Sequence, residues 1–339
     1  MKILVTGSAG FIGGYLVEEL LNHAHEVVGI DNFSKYGKIL KSYDANPRYT
    51  FVEGDVKNTE LMKDLAADCD QLIAGAAIIG GISLFHEYAY DLLAENERIL
   101  ASSFDAAVWA FENKNLKKIN VISSSMVFEN TSLYPTPEGE QLRCPPPSST
   151  YGFQKLASEY FARGAWEQYR LPYTIIRPFN VVGIGEKRAR LDKEVMSGNI
   201  RLAMSHVVPD LVQKVLKGQD PLHILGQGNQ VRCYTYGGDA AHGIRLCVDS
   251  EKALNEDFNI STPVATTVLE LAELIWKKIK GDKPFKYVTE KPYTYDVQKR
   301  IPTVEKAGKV LGFEAKTTLA EALDEIIPWI REQIKTGGI

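Results

Sequence analysis

A glycine-rich turn near the start of the chain constrains the fold more than any other feature. The apolar run Ile3–Thr6 leads into Gly7, Gly10 and Gly13, and the next segment carries leucines at helical spacing. A strand that turns on glycines into a helix presents bare backbone N–H groups and a positive dipole end, which suits a pyrophosphate. Because glycines also serve turns that bind nothing, the triplet alone is a weak signal.

The residue that ends the next predicted strand strengthens this signal. Asp31 follows the run Val27–Ile30, 18 residues after Gly13. A carboxylate there accepts hydrogen bonds from both adenosine ribose hydroxyls and repels a 2′-phosphate, which favours NAD over NADP. The alternative is a structural βαβ unit with an acidic turn residue. The residues expected to contact NAD are Gly7, Gly10, Phe11, Ile12, Gly13, Asp31, Asn32, Asp55, Val56 and Ala76. For Asp55, an adenine contact competes with capping of the helix that follows.

Short β-branched runs alternate with segments of helical periodicity in the first half of the chain. This alternation predicts βαβ units and a doubly wound parallel sheet of the α/β class, with helices on both faces. After Asn180 the alternation is lost, and an irregular charged stretch over 183–206 follows. The predicted strands are Ile3–Thr6, Val27–Ile30, Tyr49–Val52, Gln71–Ala74, Lys118–Ser123, Tyr173–Arg177, His223–Leu225 and Val231–Thr235. The predicted helices begin near Phe11, Thr59 and Tyr88 and cover Tyr151–Tyr169, Val208–Lys217, Asp239–Cys247, Val268–Lys280 and Leu319–Ile334.

The composition excludes several classes of protein. The chain has 339 residues, 45% hydrophobic and 24% charged, which fits one large or two unequal globular domains. A net charge of −4 lacks the basic excess that nucleic-acid binding needs, so we expect no nucleic-acid partner. Four widely spaced cysteines without a CxxC pair predict no metal site, no disulfides and a reducing compartment. The longest charge-free apolar stretch has 15 residues, so we expect no membrane span and a cytoplasmic protein.

A tyrosine and a lysine lie one helical turn apart in the middle of the chain. Tyr151 and Lys155 share one face of a predicted helix, and Ser124 comes at the end of the fifth predicted strand, where α/β proteins bind ligands. A tyrosine that titrates near pH ~10 acts as a base at pH 7 only if its phenolate is stabilised by about 4 kcal/mol. A lysine ammonium and the positive nicotinamide ring supply this stabilisation. We predict that all three residues are catalytic and that Tyr151 and Lys155 also contact NAD; the alternative is a solvated helix face.

These motifs together are similar to those of one family. They are Thr6–Gly13, Asp31, Asp55, Ser124, Tyr151 with Lys155, Arg177–Val181 and Gly226–Arg232. The set resembles the extended short-chain dehydrogenase/reductases, the NAD-dependent nucleotide-sugar epimerases and dehydratases, over nearly the whole chain. The resemblance implies a Rossmann domain over 1–180, with strand and helix returns near 231–260, and a smaller C-terminal α/β lobe, mainly 181–339, that binds a nucleoside diphosphate sugar. It also implies a homodimer formed by helices Tyr88–Phe111 and Tyr151–Tyr169.

The resemblance also implies substrate contacts. Asn180 and Arg232 match positions that contact the substrate diphosphate, and arginine offers a fixed fork of donors to phosphate oxygens. The alternative for Arg232 is a surface salt bridge. Lys299 or Arg300 matches a second cation. The residues expected beside the sugar are Gly81, Ser125 and Met126.

The fate of the oxidised sugar depends on the acids and bases beside it. The family's first step is oxidation of a sugar carbon, most often C4, with Tyr151 taking the hydroxyl proton. Ser125 and Met126 stand where 4,6-dehydratases carry Asp-Glu, and 3,5-epimerases carry cysteine at the position of Met126. Since methionine exchanges no protons, we predict a 4-epimerase, which returns hydride to the other face of the ketone. The alternatives are a dehydratase, a 3,5-epimerase, a 4-dehydrogenase and a non-catalytic dinucleotide-sensing protein.

Several departures from the family pattern keep these alternatives open. The loop 80–83 resembles the Gly-Gly loop of GDP-sugar 3,5-epimerases, and Phe128 and Glu129 replace the tyrosine and glycine of the Val-Tyr-Gly signature. The polar segment 183–206 predicts a lid that becomes ordered when the sugar nucleotide binds. The candidate replacement acids or bases, each of which has a solvated loop residue as its alternative, are His86, Glu186 and Lys187.

Overall fold

A parallel sheet forms the centre of the fold. The computed structural model describes residues 1–39, 41–79, 87–189, 194–202, 206–292 and 297–339. Within these ranges the strands are β1 (Lys2–Thr6), β2 (Glu26–Asp31), β3 (Tyr49–Glu53), β4 (Gln71–Ala74), β5 (Lys118–Ile122), β6 (Tyr173–Pro178), β7 (Val181–Val182), β8 (Val195–Ser197), β9 (Ile200–Leu202), β10 (Leu222–Leu225), β11 (Val231–Arg232), β12 (Thr235–Tyr236), β13 (Glu256–Ile260), β14 (Thr266–Thr267), β15 (Tyr287–Glu290) and β16 (Lys299–Arg300). Seven of them form the central sheet in the order β13-β6-β5-β4-β1-β2-β3, and each neighbouring pair is parallel. The predicted α/β class and doubly wound parallel sheet are confirmed.

Helices cover both faces of this sheet. They are α1 (Phe11–Asn22), α2 (Thr59–Ala66), α3 (Ala89–Asn113), α4 (Thr150–Tyr169), α5 (Val207–Leu216), α6 (Gly237–Asp249), α7 (Val268–Lys280), α8 (Glu305–Leu311) and α9 (Leu319–Thr336). Strand β1 supplies side chains to two separate cores, because successive residues of a strand point to opposite faces. Ile3 and Val5 are buried in the core formed with α1 and α6, whereas Leu4 is buried in the core formed with α2, α3 and α4.

A third hydrophobic core lies in the C-terminal part of the chain. Helices α5, α7 and α9 pack around β10, with the side chain of Trp276 almost fully buried among them. Two of these helices begin with a capping box, Thr267 with Glu270 in α7 and Thr318 with Glu321 in α9. Each box satisfies backbone N–H groups that the first helical turn leaves unpaired. In the described part of the chain, no helix is both long and apolar enough to cross a membrane.

The structure corrects the sequence predictions at three places. Strand β13 pairs with β6 at the edge of the sheet; the resemblance implied strand and helix returns near 231–260, but the residue pattern placed no strand over 256–260. The strand predicted at Val231–Thr235 is two short strands, β11 and β12, in different sheets. Within 183–206, predicted to be irregular, β8 and β9 form an antiparallel hairpin. The division of the chain near residue 180 and the closing of a lid stay predictions.

Candidate active site

A cavity of about 1080 Å³ opens along the carboxyl ends of the parallel strands. Open α/β sheets bind their ligands at this edge. The cavity is lined by every predicted site residue in the described ranges: Gly7, Gly10, Phe11, Ile12, Gly13, Asp31, Asn32, Asp55, Val56, Ala76, Ser124, Ser125, Met126, Tyr151, Lys155, Asn180, Arg232 and Arg300. Gly81, predicted beside the sugar, lies outside the described residues.

The glycine turn forms a cradle of bare backbone between β1 and α1. Gly7 has a φ of +74°, which favours glycine, and its missing Cβ leaves room for Ala76. A Cβ on Gly13 would lie 2.1 Å from the Gly7 carbonyl oxygen, so this position accepts no side chain unless the backbone moves. Phe11 and Ile12 begin α1 and line the cavity, and the first amides of a helix have no partner within it. The cradle therefore has the form of a pyrophosphate site.

Asp31 holds its carboxylate beside this cradle. Its Oδ2 accepts a hydrogen bond from the Ala9 amide at 3.2 Å, and its Oδ1 accepts one from the Phe33 amide at 2.8 Å. Burial raises the pKa of the Asp31 carboxyl, and these amides oppose the increase. A buried carboxylate gains stability from further donors such as ribose hydroxyls. The position agrees with the expected ribose contact, which stays a prediction.

Asp55 is not the cap of the helix that follows it. The side chain of Asn58 caps α2 by accepting a hydrogen bond from the Leu61 amide at 3.2 Å. Asp55 instead accepts a hydrogen bond from the Lys57 amide at 2.9 Å and lines the cavity. The Asp55 side chain therefore belongs to the cavity wall, and its contact with adenine stays a prediction.

Ser124, Tyr151 and Lys155 meet on one side of the cavity. Tyr151 lies in the first turn of α4, and its hydroxyl is hydrogen-bonded with Ser124. Lys155 lies one turn later, buried, and its Nζ donates to the carbonyl oxygen of Ile122 at 2.9 Å. Ser124 is just past β5, at the N-cap of the 3₁₀ helix Ser125–Phe128. The phenol and the serine are thus in position to share one substrate oxygen.

Burial controls the charge of these groups. It raises the pKa of the Tyr151 phenol, an increase that the Ser124 hydrogen bond and the Arg300 guanidinium oppose. It also lowers the pKa of the Lys155 ammonium to about 8. Tyr151 is therefore a neutral phenol at pH 7 in the ligand-free chain. It becomes a base only when nearby positive charges stabilise its phenolate.

Glu129 fixes the first turn of the helix that carries Tyr151. Its Oε2 accepts hydrogen bonds from the amide and the hydroxyl of Ser149, at 3.0 and 2.8 Å. The Ser149 hydroxyl in turn caps α4 by accepting a hydrogen bond from the Gly152 amide at 3.0 Å. The departure from the Val-Tyr-Gly signature at Glu129 therefore gives α4 an anchor that a glycine does not provide.

Two arginines lie side by side on another wall of the cavity. Strands β11 and β16 pair in parallel with Arg232 opposite Arg300, and both side chains line the cavity. Lys299, the other candidate for the second cation, is not part of the lining in the described residues. The buried Nδ2 of Asn180 has no hydrogen-bond partner among the described residues. Two guanidinium groups and an unpaired amide donor form a wall that suits a diphosphate.

Sequence reasoning missed one cavity residue, His206, and its pairing with Glu186. Glu186 was predicted to be either an acid or base or a solvated loop residue. It is buried and lines the cavity. There it is hydrogen-bonded with His206, the N-cap residue of α5. Lys187 does not line the cavity within the described ranges, and His86 lies outside them. The only sequence signal for His206 is its place directly before a predicted helix. No pattern relates it to Glu186, 20 residues earlier.

The comparison with protein families agrees with this geometry. A model described as the NAD dependent epimerase/dehydratase family matches residues 3–261, well over half of the chain. The chain belongs to this family. Because members of the family use NAD, NAD is the cofactor, and the observed residues fit it: the Gly7–Gly13 cradle has space that a Cβ would fill, and Asp31 stands beside it.

Similar proteins of this family carry out more than one reaction. An uncharacterized UDP-glucose epimerase of Bacillus subtilis is 29% identical over 341 residues, 97% of this chain and 98% of that protein. A UDP-N-acetyl-alpha-D-glucosaminuronate decarboxylase of Bacillus cytotoxicus is 28% identical over 338 residues, 98% of either chain. A solved UDP-glucuronic acid 4-epimerase of Bacillus cereus, in complex with UDP-glucuronic acid and NAD, is 27% identical with a TM-score of 0.81, covering 98% of this chain and 99% of that one.

Proposed function

We propose that this family member is an NAD-dependent nucleoside-diphosphate-sugar epimerase that inverts C4 through a transient 4-keto sugar. The observation that carries the proposal is that Ser124, Tyr151 and Lys155 line one cavity with the paired Arg232 and Arg300. The named relatives act on UDP-sugars, so we propose a UDP-hexose as the first substrate to test.

The catalytic residues have separate roles in this proposal. Tyr151 accepts the proton of the C4 hydroxyl, while the Ser124 hydroxyl holds the same oxygen in place. The Lys155 ammonium stabilises the phenolate that Tyr151 becomes. The Gly7–Gly13 cradle and Asp31 would hold NAD, which would supply the hydride acceptor and donor for C4. The two arginines keep the diphosphate in place while the ketone turns its other face to the cofactor.

The residues beside the sugar support epimerisation over dehydration. A 4-epimerase needs no acid or base other than Tyr151, whereas loss of water needs a pair of them next to the sugar. Ser125 and Met126 occupy the positions where that pair stands in 4,6-dehydratases, and the Met126 side chain carries no exchangeable proton. The observed chain therefore has the residues for hydride transfer but lacks the usual residues for expelling water.

The test uses a variant that removes one oxygen atom from the proposed base. We expect Tyr151→Phe to abolish conversion of UDP-glucose to UDP-galactose while bound NAD is retained. Tyr169→Phe, the same change at the far end of α4, is the control and keeps full activity. Chromatography of the sugar nucleotides measures the conversion, and absorbance after heat release measures NAD. An active Tyr151→Phe enzyme contradicts the assignment of the base.

Mass spectrometry of the products separates the reaction classes. An epimer has the mass of its substrate, whereas a dehydratase product has lost the mass of water and a decarboxylase product that of carbon dioxide. A dehydrated product from any UDP-hexose overturns the proposed reaction while leaving the assignment of Tyr151 intact. A protein that retains NAD and converts no sugar nucleotide is a dinucleotide-sensing protein instead.

We also propose a cytoplasmic homodimer. Large side chains are exposed along the two packed helices α3 and α4, with Tyr90 77%, Phe153 50% and Tyr160 59% exposed. A run of exposed aromatic residues on neighbouring helices marks a surface that a second copy can bury. Light scattering at micromolar concentration tests the dimer, and Phe153→Asp is expected to give monomers.

The free thiols of all four cysteines support a reducing compartment such as the cytoplasm.

A further inference from the structure

A tyrosine of helix α1 contacts the turn that follows Asn180. Tyr15 lies in α1, two residues after Gly13. Its hydroxyl oxygen accepts a hydrogen bond from the backbone amide of Ile184 at 2.9 Å. Ile184 comes four residues after Asn180 in the chain. One side chain therefore joins the helix that begins at the glycine cradle to the segment that carries the unpaired amide donor of the cavity wall.

The ring of Tyr15 fills a slot that fits it closely. A Cβ on Gly183 would lie 2.5 Å from the Tyr15 hydroxyl oxygen, and a Cβ on Gly237 would lie 2.5 Å from the Cε2 atom of the same ring. The ring of Tyr236 packs edge-on against it, with the two ring centroids 5.6 Å apart. The Tyr236 hydroxyl in turn donates to Glu325 of α9 at 2.7 Å. These contacts on several sides give the Tyr15 hydroxyl a fixed position.

The backbone of Asn180 has a conformation that needs such support. Its φ is +38°, in the left-handed region that disfavours residues other than glycine. A residue persists in this region only where the surrounding structure fixes it. Asn180 lines the cavity, and its buried Nδ2 has no hydrogen-bond partner among the described residues. The conformation therefore places an available amide donor in the cavity wall.

Contacts on both sides of strand β7 fix this turn. Before β7, the carbonyl oxygen of Asn180 accepts a hydrogen bond from the Thr235 amide at 3.2 Å. After β7, the Tyr15 hydroxyl holds the Ile184 amide. The strand itself has only two residues, which pair with β12 in a two-stranded sheet. Because so small a sheet is only marginally stable by itself, the contact with Tyr15 supplies an important part of the constraint.

We propose that Tyr15 is a positioning residue for the nucleoside diphosphate, because its hold on Ile184 keeps Asn180 in the conformation in which Nδ2 donates to the diphosphate. The inference rests on the proposed function, which places a diphosphate against Asn180. Tyr15 is not part of the cavity lining in the described residues, so it acts through Asn180. A contact with the diphosphate is equally strong before and during hydride transfer. Its loss therefore weakens binding without slowing the reaction of bound substrate.

Removal of one oxygen atom tests the inference. The NAD-loaded protein is titrated with UDP in a calorimeter, and steady-state kinetics follow the epimerisation of UDP-glucose. We expect Tyr15→Phe to raise the Kd of UDP and the KM of UDP-glucose at least ~10-fold, the effect of losing one hydrogen bond to a charged group, with kcat unchanged. Tyr43→Phe is the control and changes neither constant. It removes another buried hydroxyl beside α1, one without a hydrogen-bond partner among the described residues.

A double-mutant cycle shows whether Tyr15 acts through Asn180. We expect Asn180→Ala to weaken UDP binding and Tyr15→Phe to cause little further loss in that background. Gly183→Ala displaces the same turn, because its Cβ overlaps the Tyr15 hydroxyl, and it should show the same dependence on Asn180. This variant carries the test if Tyr15→Phe does not fold. Circular dichroism and NAD absorbance show whether each variant keeps its fold and its cofactor.

The outcomes separate this inference from the proposed function. If Tyr15→Phe binds UDP as tightly as wild type, or costs as much affinity with Asn180→Ala as without it, the inference fails, while C4 epimerisation by the wild type upholds the proposed function. If Tyr15→Phe releases NAD, Tyr15 serves the cofactor site and the inference also fails. If UDP binding depends on Tyr15 and Asn180 as expected but UDP-glucose is not epimerised, the inference stands and the proposed function fails.

Discussion

The buried charges around Arg177 lead to a sharp stability prediction. The Arg177 side chain is fully buried, and its Nε and one terminal nitrogen donate to the two carboxylate oxygens of Glu159 at 2.7 and 2.8 Å. Its other terminal nitrogen donates to Asp257 at 2.7 Å. The Ser123 hydroxyl also donates to Glu159, at 2.7 Å. One guanidinium therefore joins β6 to α4 and to β13, and the cluster includes Ser123, the residue directly before Ser124.

Arg177→Met removes the guanidinium and leaves two carboxylates behind. Asp257 keeps an ion pair with Lys306 at 2.7 Å, so its loss is partly compensated. Glu159 is fully buried, and its remaining partners among the residues that the structure describes are the Ser123 hydroxyl and the more distant Arg163 at 3.8 Å. Removing one partner of a buried pair costs about 3–5 kcal/mol, because an uncompensated charge stays in the interior. We expect Arg177→Met to lose about this much stability.

Thermal unfolding followed by circular dichroism measures the loss. At about 2 °C per kcal/mol in a chain of this size, the expected decrease in Tm is about 6–10 °C. Arg98→Met is the control, because it removes an exposed ion pair with Glu95 that is worth at most about 1 kcal/mol. Arg177→Met with Glu159→Leu should recover much of the loss, since no buried charge is then unpaired. A single variant as stable as Arg98→Met refutes the reasoning.

Three further predictions follow from single positions. Gly13→Ala forces a Cβ against the Gly7 carbonyl and should cost about 1–3 kcal/mol and weaken NAD binding in fluorescence titrations, whereas Gly14→Ala meets only a flexible lysine end and should be mild. Burial raises the pKa of the Asp257 carboxyl, but its cationic neighbours lower the pKa overall. The stability that this carboxylate contributes is therefore present above pH 3.8 and is lost as the pH falls further. Urea unfolding should show Asp257→Asn destabilised at about pH 7 and close to wild type near about pH 2. Burial lowers the pKa of Lys155 to about 8, so above that pH the NAD-free native protein binds fewer protons than the unfolded protein. The free energy of unfolding should therefore increase from pH 8 to pH 10.5, and Lys155→Met should remove this increase.

The first βαβ unit was predictable because its signals are local. The apolar run before Gly7, the glycine spacing and the carboxylate at Asp31 lie within a short stretch of chain, and each strengthens the prediction that the others make. The same holds for Tyr151 and Lys155, whose spacing places them on one helix face. Strand β13 was not predictable in this way, because it begins with Glu256 and Asp257 and acquires its identity from pairing with β6. Its charge at Asp257 is explained by two distant partners, Arg177, 80 residues earlier, and Lys306.

The wall proposed to bind the diphosphate depends on strand register rather than on local pattern. Arg232 and Arg300 are far apart in sequence and meet because two strands of only two residues each pair in parallel. A shift of one residue would replace Arg300 with a neighbour, and neither strand carries enough alternation to define its register from sequence. The motif around Arg232 therefore predicted one cation, while the choice between Lys299 and Arg300 needed the structure.

Different structural elements carry different residues of the cavity, which helps to explain how one family can support several reactions. Tyr151, Lys155 and Ser124 lie on a long helix and at a strand end, and the buried Arg177 cluster connects that helix to β6 and β13. Hydride transfer requires such fixed geometry, because a small displacement of the reacting atoms costs much of the rate. Glu186 and His206 line another part of the cavity and come from the segment that follows Asn180. The sheet and α4 therefore carry the residues proposed for hydride transfer, whereas this segment supplies side chains to a different wall of the same cavity.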